Sequence, residues 1–153
     1  MRSVYDNIEA KTSIEPTSRK STNATVQYGN IIDTKGYNSG MIVLRRTCPG
    51  AAGVAYTAVT TASLEEGDES DGSDMAAALD NTDTQIAASV STTSVATTGK
   101  ARIEGLGINR KRYLRIKESS TFTGSTAPAI TVHAEILLGR AYNNPVETTS
   151  SNT

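Results

Sequence analysis

The chain of 153 residues has no tryptophan, one phenylalanine (Phe122), one cysteine (Cys48) and one histidine (His133). Each scarcity excludes something. A single cysteine forbids an intrachain disulfide and any multi-cysteine metal site. That usage is compatible with a reducing cytoplasm. Without tryptophan, bulk burial must come from Val, Ile, Leu, Met and six Tyr. Apolar residues make up 37% of the chain, below the roughly 45–50% usual for globular domains, so the expected core is modest. No run approaches the roughly 18 apolar residues of a membrane span, and no membrane partner is expected. The start, MRSVYDNIEAKTS, has no apolar stretch of the kind a secretory signal carries, so none is expected. Charge of one sign is also missing. The formal net charge is −1, whereas a dedicated nucleic-acid binder is usually basic over its domain.

What is present is β-patterning. Ser and Thr form roughly a quarter of the chain, which suits strand faces and loops better than helices. AITVHAEILLG alternates most cleanly: Ile130, Val132, Ala134, Ile136 and Leu138 face one way, Thr131, His133 and Glu135 the other. MIVLRR, residues 41–46, is short enough for a buried strand. VAYTAVTTASL, residues 54–64, alternates as well. TVQYGNIID, TQIAASVSTTSVATTG, ARIEGL and RKRYLRIKES add further strands, and MAAALD reads as one short helical turn. Seven or eight short strands separated by turn signals predict an all-β protein, a single antiparallel β-sandwich, jelly-roll-like or immunoglobulin-like. The polar start, with isolated Val4, Tyr5, Ile8 and Ile14 and a break at Pro16, reads as an extended N-terminal arm. It is either a frayed terminus or a segment that orders by laying Tyr5, Ile8 and Ile14 on a neighbour. The expected division is an arm over 1–22, a sandwich over 23–142 and a flexible tail over 143–153.

The most charged stretch is INRKRYLRIKES, residues 108–119. As a strand it turns Arg112, Leu114 and Ile116 to one face and Lys111, Tyr113, Arg115 and Lys117 to the other. It has one aromatic residue and no glycine, so the stacking platform of an RNA-recognition strand is missing. The expectation is a solvated or salt-bridged face, with a protein contact through Tyr113, Arg115 and Lys117 as the sharper reading and no nucleic-acid partner. EEGDESDGSD, residues 65–74, offers hard oxygen ligands, but Gly72 is out of register with a D-x-D-x-D-G calcium loop. A solvated acidic loop is expected, with a weak divalent-ion site as the lesser reading, or a loop that pairs with the basic strand across a subunit contact.

Signals for chemistry are sparse. GYNSG places its serine one position late for a nucleophile elbow. TTGKA lacks the upstream glycine of a phosphate loop and has Ala where Ser or Thr would hold magnesium. His133 and Cys48 are assigned to separate strands without a supporting motif. Asn23-Ala24-Thr25 matches a glycosylation acceptor, but no secretory signal accompanies it. No catalytic residue, metal ligand or cofactor is expected, and the chain is read as non-enzymatic.

Four stretches occur in a telling order: GYNSGMIVL (36–44), LEEGDESDGSD (64–74), GLGINRKRYLRIK (105–117) and ILLGRAYNNPV (136–146), after an opening VYDNIEA. This order resembles a family of small tailed-bacteriophage virion proteins over residues 4–146. Two departures are Asp74-Met75-Ala76, where an aromatic residue would follow the acidic loop, and Asn143-Asn144 in place of a more basic end. The resemblance implies a decoration or cement protein: a β-sandwich, homo-oligomeric, made in the host bacterial cytoplasm and located on the virion, where it binds the major capsid protein and stabilises the head. The alternatives are a tail, neck or fibre-associated component, or a β-module that binds a host surface or carbohydrate. Tyr5, Ile8, Ile14, Tyr113, Arg115 and Lys117 are the expected capsid or subunit contacts.

Overall fold

A computed structural model describes residues 8–19, 25–47, 57–92, 96–104, 106, 108–123 and 130–139. Ten strands are found among them: β1 (Ile8–Arg19), β2 (Thr25–Tyr28), β3 (Ile32–Asp33), β4 (Ser39–Thr47), β5 (Thr57–Gly67), β6 (Ala76–Ala77), β7 (Ala87–Thr92), β8 (Ala96–Ile103), β9 (Tyr113–Thr123) and β10 (Ile130–Gly139). No helix occurs among the described residues.

All pairings are antiparallel. One sheet has the order β1-β10-β4-β8, and the other runs β2-β9-β5-β6. Short β3 continues the edge of β9 beyond β2, and β7 lies beside β5 end to end with β6. Taking β2 with β3 and β6 with β7 as single positions leaves eight strands. In chain order the sheets then read 1-8-3-6 and 2-7-4-5, which is the double Greek key of a jelly roll. An immunoglobulin sandwich keeps its first two strands in one sheet; here they lie in different sheets, so the jelly roll is the form adopted.

Strand period decides the core. β10 alternates buried and half-buried along its whole length, as its apolar period requires. Ile42 and Leu44 of β4, Ala62 and Leu64 of β5, Ile103 of β8 and Leu114 and Ile116 of β9 complete the interior from both sheets. Tyr37 packs into it from the 34–37 turn, where Gly36 has φ +88° and Tyr37 N–H donates to Thr34 O. That conformation is one glycine adopts without a Cβ clash.

Three local expectations are corrected. MAAALD is not a helical turn: Ala76 and Ala77 form β6 against Glu66 and Glu65, because the strand edge offers their backbone ladder partners that an isolated turn lacks. The stretch from 84 to 103 holds two strands in different sheets, β7 on β5 and β8 on β4, and ARIEGL starts inside β8. Glu65–Gly67 belongs to β5 rather than to the acidic loop.

The N-terminal segment also differs from expectation. Ile8–Arg19 is an edge strand of the sandwich, paired with β10 from Ile8↔Gly139 to Arg19↔Ile130. The register shifts between Thr12 and Ile14, leaving Ser13 as the extra residue of a bulge. A bulge inverts which face the later residues occupy, so Ile8 points outward and is 54% exposed, while Ile14 is 1% exposed in the core. Ser13 turns its hydroxyl to the other sheet, accepting Ile116 N–H at 3.1 Å and donating to Asn30 O at 3.2 Å. The strand therefore staples the two sheets together.

Candidate contact surface

β9 carries only the second half of the basic stretch: Arg110, Lys111 and Arg112 lie in the turn that precedes it, not in the strand expected of RKRYLRIKES, and alternation sorts the side chains from Tyr113 onward. Leu114, Ile116, Glu118 and Ser120 are buried; Tyr113, Arg115, Lys117 and Ser119 lie half-buried on the outer face. Glu118 and Arg46, one from each sheet, are both buried charges. Ser120 Oγ donates to Glu118 Oε1, and Arg46 donates to Val90 O at 3.3 Å.

The cations of this stretch mostly find carboxylates in their own chain. Arg110 donates to Glu66 Oε1 at 3.3 Å and to the Glu104 and Leu79 carbonyls. Lys111 Nζ lies 3.3 Å from both Asp68 and Asp74. Arg112 grips Asp33 with two bonds of 2.9 and 2.7 Å. Arg115 donates from Nε and Nη2 to Glu65 Oε2 at 3.0 and 2.5 Å. The salt-bridged face is thus the one adopted, and the acids that serve it come from the 65–74 stretch and β3 of the same chain rather than from across a subunit contact.

These pairings set the titration of the groups. The Arg112 hydrogen bond holds the Asp33 carboxyl down at about 2, against a smaller opposing effect of burial. Asp74 is lowered first by the backbone N–H groups of Asp68 and Glu69, and then by Lys111. Lys111 is raised by Asp68 and Asp74. Asp71 is lowered by the Ser73 N–H. The loop carboxylates are thus turned to their own backbone and to Lys111, and among the described residues no group of three or more His, Cys, Asp or Glu gathers as a metal would need.

One cation stands apart. Lys117 has no carboxylate partner among the described residues; its ammonium lies 5.8 Å from the centre of the Tyr28 ring. The Arg115 guanidinium lies over the same ring at 4.6 Å. Tyr28 is placed there by β2, whose register sets it opposite Lys117 and sets Val26 opposite Ser119. Tyr28 is 53% and Val26 51% exposed. Outer-face Tyr113 carries the Arg112 guanidinium at 5.1 Å. The outcome is a patch of tyrosine, arginine, lysine and valine on one face of the second sheet. Cation–π contacts hold its aromatic ring in place without covering it.

The expected contact residues do not converge. Tyr113, Arg115 and Lys117 share this face. Ile8 lies on the outer face of the other sheet, Ile14 is inside the core and so presents nothing to a partner, and Tyr5 and Cys48 fall outside the described residues. Sequence reasoning misses Tyr28 and Val26 as contact candidates. Their shared face follows from the alternation in TVQY, but nothing in that tetrapeptide indicates which strand it would flank. No helix of the described residues is long and apolar enough to cross a membrane. No protein-family model matches the chain, and no curated protein matches it.

Proposed function

We propose that the chain is a non-enzymatic structural protein of a tailed-bacteriophage virion, a decoration or cement protein that binds the major capsid protein and stabilises the head as a homo-oligomer. The observation that carries this reading is the Tyr28–Arg115–Lys117–Val26 patch. Tyr and Arg are the residue types that anchor protein interfaces, and here they sit on a sheet with a rigid core behind it. The order of the GYNSG, EEGDESDGSD, NRKRYLRIK and LLGRAYNNP stretches supplies the virion assignment by resemblance. The jelly roll is compatible with it, since that architecture serves viral capsid and lectin domains alike, and fold alone does not fix function. Many copies bound through a modest patch would multiply weak contacts into a stable shell.

The test is binding of the purified chain to purified phage heads lacking it, measured by co-sedimentation. Tyr28→Ala and Lys117→Glu are each expected to weaken binding about tenfold, the effect of losing roughly 1.4 kcal/mol at an anchor position. Unchanged far-ultraviolet circular dichroism would show that the fold persists. Full binding by the double variant would remove this face from the interface, and a parent chain that does not bind heads would remove the capsid reading.

A further inference from the structure

β2 is the outermost strand of the second sheet, beside β9. In an antiparallel ladder, a residue bonded to its neighbour is followed by one whose N–H and C=O point the other way. Gly29 N–H donates to Ile116 O at 2.9 Å, so Gln27, opposite Glu118, also turns its backbone toward β9. Val26 and Tyr28 therefore turn theirs outward. Asn30 follows the same alternation: its N–H, of the outward set, donates to Ser13 O of β1 at 2.7 Å and closes the edge there. Along residues 26–28 no strand pairs with the edge among the described residues. Val26 and Tyr28 each leave one donor and one acceptor at it, and they are 51% and 53% exposed. Edge strands are usually guarded by charge, proline or a covering element; apart from its shortness, Thr-Val-Gln-Tyr carries no such guard.

We infer that this edge takes an extended, acidic segment of a partner protein as an added strand, with one carboxylate of that segment reaching Lys117. Charge singles out the same place as the open ladder. Arg110, Lys111, Arg112 and Arg115 are matched with carboxylates of their own chain. Lys117 has no carboxylate partner among the described residues; it lies opposite Tyr28, its ammonium 5.8 Å from the centre of the ring. A strand added to β2 would start its side chain beside Tyr28 about two strand spacings, roughly 10 Å, from the Lys117 backbone. A glutamate and a lysine side chain together span that gap over the tyrosine ring. The added backbone supplies affinity, and the side chains that alternate along it supply specificity. A helix cannot be the occupant, since its backbone groups are bonded within it. The inference rests on the reading of this face as a contact surface and names the kind of segment it takes.

The probe for the full chain is a set of immobilised peptides that alternate valine and threonine, with glutamate, glutamine or lysine at one central threonine position. The glutamate peptide should bind several-fold more tightly than the glutamine one, and Lys117→Gln should remove that preference. Val26→Pro deletes an outward N–H and leaves the β9 side of the ladder alone, which an edge strand tolerates. It should abolish peptide binding, whereas Val26→Ala, which keeps the N–H, should only weaken it. Amide exchange followed by nuclear magnetic resonance reads the same edge without a substitution. Val26 and Tyr28 should exchange fast and Gln27 slowly in the free chain, and the glutamate peptide should slow the first two. Equal binding by Val26→Pro and Val26→Ala, no preference for glutamate, or no slowing of those amides would overturn the inference. Head co-sedimentation with the same variants separates it from the capsid reading. Peptide binding without head binding removes only the capsid reading, and head binding that survives Val26→Pro removes only the added strand.

Discussion

Asp33 and Arg112 form a two-bond ion pair at the mouth of the β3–β9 ladder. The folded carboxyl titrates at about 2 instead of 3.8. A depressed carboxylate contributes stability above its unfolded value, and that contribution drains away as pH falls through the folded value. Both side chains are nearly half exposed, so the effect is small. Asp33→Asn is expected to lower the urea midpoint at neutral pH, with the gap to the parent closing as pH falls from 3.8 towards about 2. A gap that stayed constant over that range would contradict the pairing. Gly29 makes a steric claim at the same scale. A Cβ there would collide with Ser13 Oγ and come within 2.5 Å of Ser13 O, and both atoms are held by the staple between the sheets. Gly29→Ala is expected to cost about 2 kcal/mol, the usual penalty of forcing atoms into a packed site, read by chemical denaturation. A neutral effect would mean that β1 can move away from β9.

Among the elements, β1 changes what a deletion experiment means. Removing residues 1–21 takes away one of the two strands paired with β10, the Ser13 bonds to Ile116 and Asn30, and the core side chain Ile14. The expected result is loss of the cooperative unfolding transition, whereas removing only residues 1–7 should leave it in place; thermal circular dichroism separates the two. Equal stability of both truncations would return β1 to the status of an arm. The sequence does not reveal this strand, because Ile8 and Ile14 are six residues apart and a regular strand would put them on one face. The Ser13 bulge sets them on opposite faces, and bulges leave no period to read. β10 is legible because its own alternation and its unbroken register with β4 follow the ideal pleat; the bulges opposite it belong to β1. β6 is not, since Met-Ala-Ala-Ala-Leu favours helix locally and only the edge of β5 makes it a strand. The basic stretch is half legible. Alternation places Tyr113, Arg115 and Lys117 outward, but the carboxylates that neutralise Arg112 and Arg115 come from residues 79 and 50 positions away.

At the scale of the whole molecule, the jelly roll has two outer faces of different character. The second sheet presents Tyr28, Val26 and Lys117 beside internally paired arginines; the first presents an apolar hollow lined by Ile8, Met41 and Leu137 where β10 ends. Strand order, which periodicity does not encode, is what distinguishes this sandwich from an immunoglobulin-like one. For a molecule proposed to cover a capsid, the most direct measurement is quantitative mass spectrometry of purified virions of the encoding phage, counting copies of this chain against the major capsid protein. A ratio near one, or a simple fraction of it, is the expected result. Absence from the particles, or only a few copies in each, would contradict it.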